Sequence, residues 1–436
     1  MMPLQPRTKR RHALRILAGF AAGMSLLLAT TATCAAAAPG PATKPVVSVG
    51  SYYNDDFIAD ETGFSSLVSY CDDVAGVTGQ IDPFGTDTID SYLKGTPDTV
   101  VTWFAGFQTR SAQTHGLVTP INRVWQNISH NYTPAVASLA LGKNGQAYFV
   151  PTFQYAWTVM YRKSVFAAHG YKVPRTMDEF MRLQKRMQAD GLIPMASTAG
   201  ANPDDNWSQM GTFDILDMRM NGYDFHMGLL AGRHQWTDPR VKAVFREWRD
   251  LLPYTSPNAL TNGWWDAMFE LLDGSAGMYF TGAFSTLVIG DQAQYDDLAM
   301  FPYPAFGNMY DWEKSIDAPT DGVFISKNTT NLVAAERLLT CAGTGAAPNK
   351  MVAYDRTIVA AARNASTAAY SPLQKQMASI IRSSNAVAQY LDRDARTDFP
   401  PGISAALTSF IANPNQNLDA FLAGIQAYWH SLPPLS

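Results

Sequence analysis

Polar and apolar positions alternate over residues 46–53, which end in aromatics, so the segment reads as a first strand running into a loop. Helical spacing follows over 64–74, and a second short helix over 88–94. Gly95-Thr96-Pro97-Asp98 then turns the chain into Thr99-Val100-Val101-Thr102-Trp103-Phe104. That run is short and β-branched, as expected of a buried strand in a parallel sheet. The alternation continues to about Pro151. Over 145–180 an apolar segment ends at Pro151, and an aromatic loop follows. Next come a strand TVMYR, a helix KSVFAAHG closed by glycine, and a helix start at Thr176.

From Pro174 to Gly307 the pattern is mostly helical. Thr176 is the expected cap of a helix over 177–189, with Glu179 in the capping-box position. Asp238 and Pro239 open an amphipathic stretch through Leu252 whose Phe245 and Trp248 read as core. A helix is expected over 264–272 and strands over 277–280 and 322–326. Helix is expected again over 331–341 and through most of the remainder to Trp429. No internal repeat interrupts the succession of βα units, which implies an α/β fold.

At 436 residues the chain favours two domains, and its 16% of charged residues fits a compact globular protein. Residues 1–38 stand apart. Arg7, Lys9, Arg10, Arg11 and Arg15 precede an apolar region over 16–33 and small residues over 35–38, the layout of a secretory signal peptide, with an uncleaved anchor as the alternative. The basic run partly resembles a twin-arginine signal, and Cys34 sits where a lipoprotein signal places its lipidated cysteine. Residues 39–45 read as a tether. Without residues 1–38 the chain keeps 28 of its 33 basic residues against 37 acidic ones, a net charge of −9. Phosphate binding needs clustered Lys and Arg, so this balance argues against nucleic acid as a partner. Cys71 and Cys341 are free to pair in an oxidising compartment or simply to be buried.

Hydrolase, zincin and Walker signatures are missing, and the seven histidines lack metal-ligand spacing, so no catalytic residue, metal site or cofactor is assigned. What stands out is aromatics beside carboxylates and amides in expected loops. These are Tyr52-Tyr53-Asn54-Asp55-Asp56, Trp103-Phe104-Ala105-Gly106-Phe107-Gln108, Phe153-Gln154-Tyr155-Ala156-Trp157, Asp204-Asp205-Asn206-Trp207 and Gly263-Trp264-Trp265-Asp266. Sugars present flat C–H faces ringed by hydroxyls, which such residues stack on and hydrogen-bond. Each cluster taken alone also reads as core or loop anchoring. Distant carboxylates such as Asp55 and Asp205 leave a secreted glycoside hydrolase open, if they face each other about 5–9.5 Å apart.

Gly95-Thr-Pro-Asp98-Thr-Val-Val and Gly116-Leu-Val-Thr-Pro120-Ile resemble the G-x-P-D-V-V and G-x-L-x-P-L stretches of solute-binding proteins from carbohydrate ABC importers, the group that includes maltose-binding protein. Gly145-Gln-Ala-Tyr-Phe-Val-Pro151, Met160-Tyr161-Arg162-Lys163 and Pro174-Arg-Thr-Met-Asp-Glu-Phe180 resemble further motifs of that family. So do 269–284, Phe301-Pro-Tyr-Pro304, Asp321-Gly322-Val-Phe-Ile-Ser326-Lys327 and Ala334-Ala335-Glu336, in the same order along about 46–345. Phe284 replaces a usual Trp, Gln146 a Lys and Met177 a Trp, which leaves ligand choice the least transferable feature.

The resemblance implies two α/β lobes around a cleft, with the chain crossing a hinge more than once: 46–151 and 306–342 in one lobe, 152–305 and 343–436 in the other. It implies an exported monomer that closes on a mono- or oligosaccharide and docks on membrane permease subunits, without catalysis. Asp55, Trp103, Gln108, Phe153, Tyr155, Trp207, Trp264 and Phe284 become cleft candidates, with Asp321 and Gly322 at the returning crossover. Tyr390-Leu-Asp392-Arg393-Asp394 resembles an F-D-R-D segment of some members; an N-cap with a surface ion pair reads it equally well. A binding protein for a polyamine or an anion remains a further alternative, the acidic loop at Asn54-Asp55-Asp56 favouring the polyamine.

Overall fold

Among the described residues twelve strands carry the architecture. In chain order they are β1 (Val46–Ser51), β2 (Thr78–Pro83), β3 (Val100–Phe104), β4 (Val150–Gln154), β5 (Trp157–Arg162) and β6 (Ile193–Ala196). β7 (Ala276–Gly282), β8 (Leu298–Phe301), β9 (Ile316–Asp317), β10 (Thr320–Ile325), β11 (Val359–Ala360) and β12 (Val387–Ala388) follow. The computed structural model describes residues 43–53, 61–86, 88–200, 207–327 and 329–434. The predicted leader with Cys34, most of the tether and the candidate Asp55 lie outside them. Lys44–Ser436 belong to one compact unit.

A six-stranded sheet runs in the order β11-β4-β10-β3-β1-β2 and a four-stranded sheet in the order β6-β7-β5-β8. β1 pairs in parallel with β2 and β3, whereas β10 runs antiparallel between β3 and β4. β3 is buried along nearly its whole length, as its unbroken β-branched run requires. β10 fits between its neighbours because residue 322 is glycine: a Cβ there would collide with the Val150 carbonyl oxygen. The two sheets are the centres of two α/β lobes.

The chain passes between the sheets three times. Only Tyr155 and Ala156 separate β4 from β5. After β8 it returns through β9 to β10, and after β11 it runs through β12 to the segment 389–394. β9 and β12 pair in parallel as a two-stranded ribbon of their own. The last two helices, Pro400–Ala412 and Leu418–Ser431, then pack on the helix Pro239–Leu251, where Phe245 lies 4.9 Å from Phe410 and 5.1 Å from Phe421.

Local signals fall where expected. The Thr176 hydroxyl accepts from Glu179 N–H at the start of the helix Met177–Ala189, but the Glu179 carboxylate reaches back one residue further, to Arg175 N–H at 2.7 Å. Asp238 caps Pro239–Leu251, whose Phe245 and Trp248 are buried core. Cys71, on the helix Glu61–Ala75, is bonded to Cys341, on the helix Leu332–Ala342, across 270 residues. Among the described residues no helix is long and apolar enough to cross a membrane.

Candidate functional site

An aromatic wall is assembled where the chain first crosses. Tyr155 meets Phe284 edge-on, with ring centres 5.8 Å apart. Phe284 reaches the wall because it follows Gly282, the register partner of Trp157 on β5. Phe284 in turn touches Trp264 and Trp207, each at 5.5 Å, and Trp157 at 5.9 Å. Trp157 stacks on Tyr390 at 4.7 Å. The Tyr390 hydroxyl donates to the Trp207 carbonyl at 2.7 Å and accepts from Gly211 N–H at 3.0 Å. Tyr390 has φ of 102°, a conformation that costs a bulky residue and persists because stack and hydrogen bonds over-determine it.

A polar group is built at the ends of β1, β3 and β10. Tyr52 leaves β1 with its ring 4.4 Å from Trp103. Asp321 is the register partner of Phe104 on β3 and of Phe153 on β4. Its carboxylate accepts from Arg393 Nη1 at 2.6 Å, and the Arg393 guanidinium lies 4.5 Å over the Phe104 ring. Burial alone pulls Arg393 down, but Tyr155, Asp321 and Asp392 outweigh it and hold the guanidinium charged. Burial raises the Asp321 carboxyl, with Arg393 opposing. Burial also raises the Tyr155 and Tyr52 phenols, and both feel Arg393, Asp321 and Asp392. The shared influences bring the wall and the polar group to one locality. Asp392 is exposed to solvent, yet desolvation still raises its carboxyl, as happens in a concavity ringed by protein.

Behind this site lies a buried acidic network on the crossings. Asp214, on the helix Ser208–Asn221, accepts from Leu391 N–H at 2.7 Å. His226 lies 2.9 Å from Asp217 and 3.5 Å from Asp214. Asp317, on β9, is wholly buried, and neither of its oxygens has a partner among the described residues. Desolvation first, and neighbouring carboxylates second, push Asp214 and Asp317 well above the usual carboxylate range. Asp394 closes the network by accepting Gln389 N–H at 2.7 Å and pairing with Arg110 at 3.3 Å.

Of the residues proposed from sequence, Tyr155, Trp207, Trp264 and Phe284 come together in the wall, and Asp321 stands in the polar group. Trp103 and Phe153 are almost fully buried behind Tyr52 and Tyr53, which they support. Gln108 accepts from Ile89 N–H at 3.0 Å and lines a separate groove of about 640 Å³ with Arg110 and Tyr223. Gly322 contributes backbone only. Asp55 and Asp205, the pair a hydrolase reading would need, lie outside the described residues. Tyr52 and Trp157 belong to the aromatic clusters read from sequence but not to its cleft candidates, and Tyr390, Asp392 and Arg393 also stand outside those candidates. The resemblance of 390–394 to a family segment is the signal for the last three, and a surface ion pair describes it equally well. Among the described residues no three His, Cys, Asp or Glu side chains gather as a metal-ligand set.

Known proteins share this fold. The bacterial solute receptor AcbH, which has an exclusive substrate preference for β-D-galactopyranose, is 33% identical, with a TM-score of 0.83 over 89% of this chain and 98% of its own. A chitin oligosaccharide binding protein shares the fold at 19% identity, with a TM-score of 0.70 over 89% and 98% of the two chains. An ABC transporter extracellular-binding protein of Pyrococcus horikoshii is 22% identical over 194 residues, 44% of this chain and 43% of the relative. This chain thus spans less than half the length of the curated relatives it matches. Residues 91–346 match the family model of bacterial extracellular solute-binding proteins, and with more than half of its length so matched the chain belongs to that family.

Proposed function

We propose that this protein is the substrate-binding component of an ABC importer, capturing a carbohydrate outside the cytoplasmic membrane and delivering it to the permease. The observation that carries the reading is the meeting of a six-ring aromatic wall with the Asp321–Arg393 pair and Asp392 at one locality. Rings give a pyranose an apolar face to stack on, and the ionised groups take its hydroxyls, charged hydrogen bonds being the stronger kind. AcbH makes β-D-galactopyranose the first candidate ligand.

One lobe comprises 46–154 with a return segment from Thr320 through β11, since Val359 and Ala360 pair with β4; the other comprises 157–301 with the C-terminal helices. Closure is driven by the ligand's extra affinity for the closed arrangement, and no covalent step is needed. The chain works as a monomer, exported by its leader, with Cys34 as the lipid attachment point.

A thermal-shift panel tests this, because a ligand that binds only the folded state raises the melting temperature. D-galactose and other neutral saccharides are expected to raise it. A rise with spermidine or phosphate and with no saccharide would sink the carbohydrate reading.

A further inference from the structure

We infer that Asp392 and Arg393 together form the polar clamp of the cleft, an acceptor beside a donor for adjacent sugar hydroxyls, and that this clamp selects neutral pyranoses over their uronic acids. The inference rests on the carbohydrate-binding role proposed above and names the residues and ligand class of that same site.

Arg393 uses one Nη1 donor on Asp321 at 2.6 Å, and its plane is fixed over Phe104. A guanidinium has five N–H donors, and among the described residues the others of Arg393 have no acceptor. Asp392 is exposed, and its carboxylate accepts from its own and the Arg393 backbone N–H but from no described side chain, which leaves it further acceptor capacity. The contrast with its neighbours is sharp. Leu391 N–H is held by Asp214, the Tyr390 hydroxyl by Trp207 and Gly211, and Asp394 by Gln389 and Arg110. Gly106 backs the segment so closely that a Cβ there would strike the Arg393 carbonyl. Bonds to both lobes therefore hold a stretch that leaves an exposed carboxylate beside a guanidinium with spare N–H donors, both within electrostatic reach of Tyr52 and Tyr155.

A neighbouring acceptor and donor match the two adjacent hydroxyls of a sugar. The local charge decides the ligand class: Asp321 and Asp392 carry two negative charges against the one positive charge of Arg393. A neutral pyranose meets no penalty there, whereas a carboxylate on the same ring meets net repulsion in a partly desolvated site, where Coulomb terms are strong.

Titration calorimetry of the whole chain with D-galactose, D-glucose and D-galacturonate, paired with melting temperatures, tests the clamp. The wild type should bind a neutral hexose and reject galacturonate. Asp392→Asn should bind the hexose about 10-fold or more weakly, as expected for loss of a charged hydrogen bond, and should discriminate less against galacturonate. Its unliganded melting temperature should not move. Arg393→Lys keeps a cation for Asp321 but loses the fork, and should weaken the hexose by about 10- to 100-fold. Binding of neither hexose by the wild type would overturn the carbohydrate reading and the clamp with it. Binding of a hexose with unchanged affinity and discrimination in Asp392→Asn would overturn the clamp alone. Loss of unliganded stability in Arg393→Lys with unchanged affinity would make Arg393 a structural residue and refute its part.

Discussion

Replacing Asp317 by Asn should stabilise the protein at neutral and alkaline pH. Asp317 is wholly buried, both its oxygens lack a partner among the described residues, and the charges that act on it are Asp394 and Asp392. Asp214 feels it in turn, and His226 lies 3.5 Å from Asp214 and 2.9 Å from Asp217. Asp394 itself is paired with Arg110. Desolvation first and the acidic neighbours second raise the Asp317 carboxyl, so the folded protein holds a proton there that the unfolded chain releases near pH 4. Stability contributed by that proton is intact below the unfolded pKa and is lost as pH rises toward the raised folded value, at about 1.4 kcal/mol for each pH unit across that interval. Asn mimics the protonated acid and is indifferent to pH. It should be near neutral at about pH 4, where both states hold the proton, and increasingly stabilising as pH rises, by about 1.4 kcal/mol per pH unit until the folded group itself ionises. Melting curves from pH 4.5 to 8.5 are the assay, and the mutant profile should be the flatter one. Destabilisation at every pH, or parallel profiles, would show that the carboxylate is ionised and partnered, and would refute the reasoning.

Other perturbations probe the wall and the frame. Trp264→Ala removes a half-buried ring that meets Phe284, and should weaken sugar binding by about 1–2 kcal/mol with little change in unliganded stability; isothermal titration and melting curves separate the two. Gly211→Ala places a Cβ 2.9 Å from the Trp157 and Tyr390 rings, which should cost about 1–3 kcal/mol in denaturant melts and reduce affinity by tilting the stack. Reducing the Cys71–Cys341 bond releases a loop of 270 residues and should cost about 2–5 kcal/mol, read as a lowered urea midpoint in the presence of dithiothreitol.

Much of the frame is legible in the chain because its determinants are local. The run Val100-Val101-Thr102-Trp103 is too short and too β-branched for a helix, and it is a buried strand. Thr176 and Asp238 cap helices with their own side chains, so the cap and the pattern behind it point to the same residue. The site is only half legible. Trp207, Trp264 and Phe284 look alike in sequence to Trp103 and Phe153, since each is an aromatic at a strand end or helix start. What separates the half-buried Trp207 and Trp264 from the fully buried Trp103 and Phe153 is the tertiary packing around each ring. Asp392 and Arg393 are hidden for another reason. Alternating charges close to a helix start usually describe a solvated pair. The Arg393 partner is instead Asp321, 72 residues earlier, and its stacking ring is Phe104 on a different strand.

The three groups that converge on the cleft lie on three different crossings. Tyr155 is in the first, Asp321 opens β10 just after the second, and Arg393 is in the third. On the proposed reading of hinged closure, their mutual distances depend on the relative setting of the lobes. A sugar touching all three on the proposed reading reports lobe position directly, with no relay of intervening residues. Closure then requires only that the ligand gain contacts in the closed setting that it lacks in the open one. If the Arg393–Asp321 pair forms only in the closed setting, it biases the unliganded protein toward that setting. Arg393→Met should remove that bias, and small-angle scattering should then find the unliganded mutant more open than the wild type; an unchanged radius of gyration would mean that the ion pair fixes the third crossing and does nothing to the lobes.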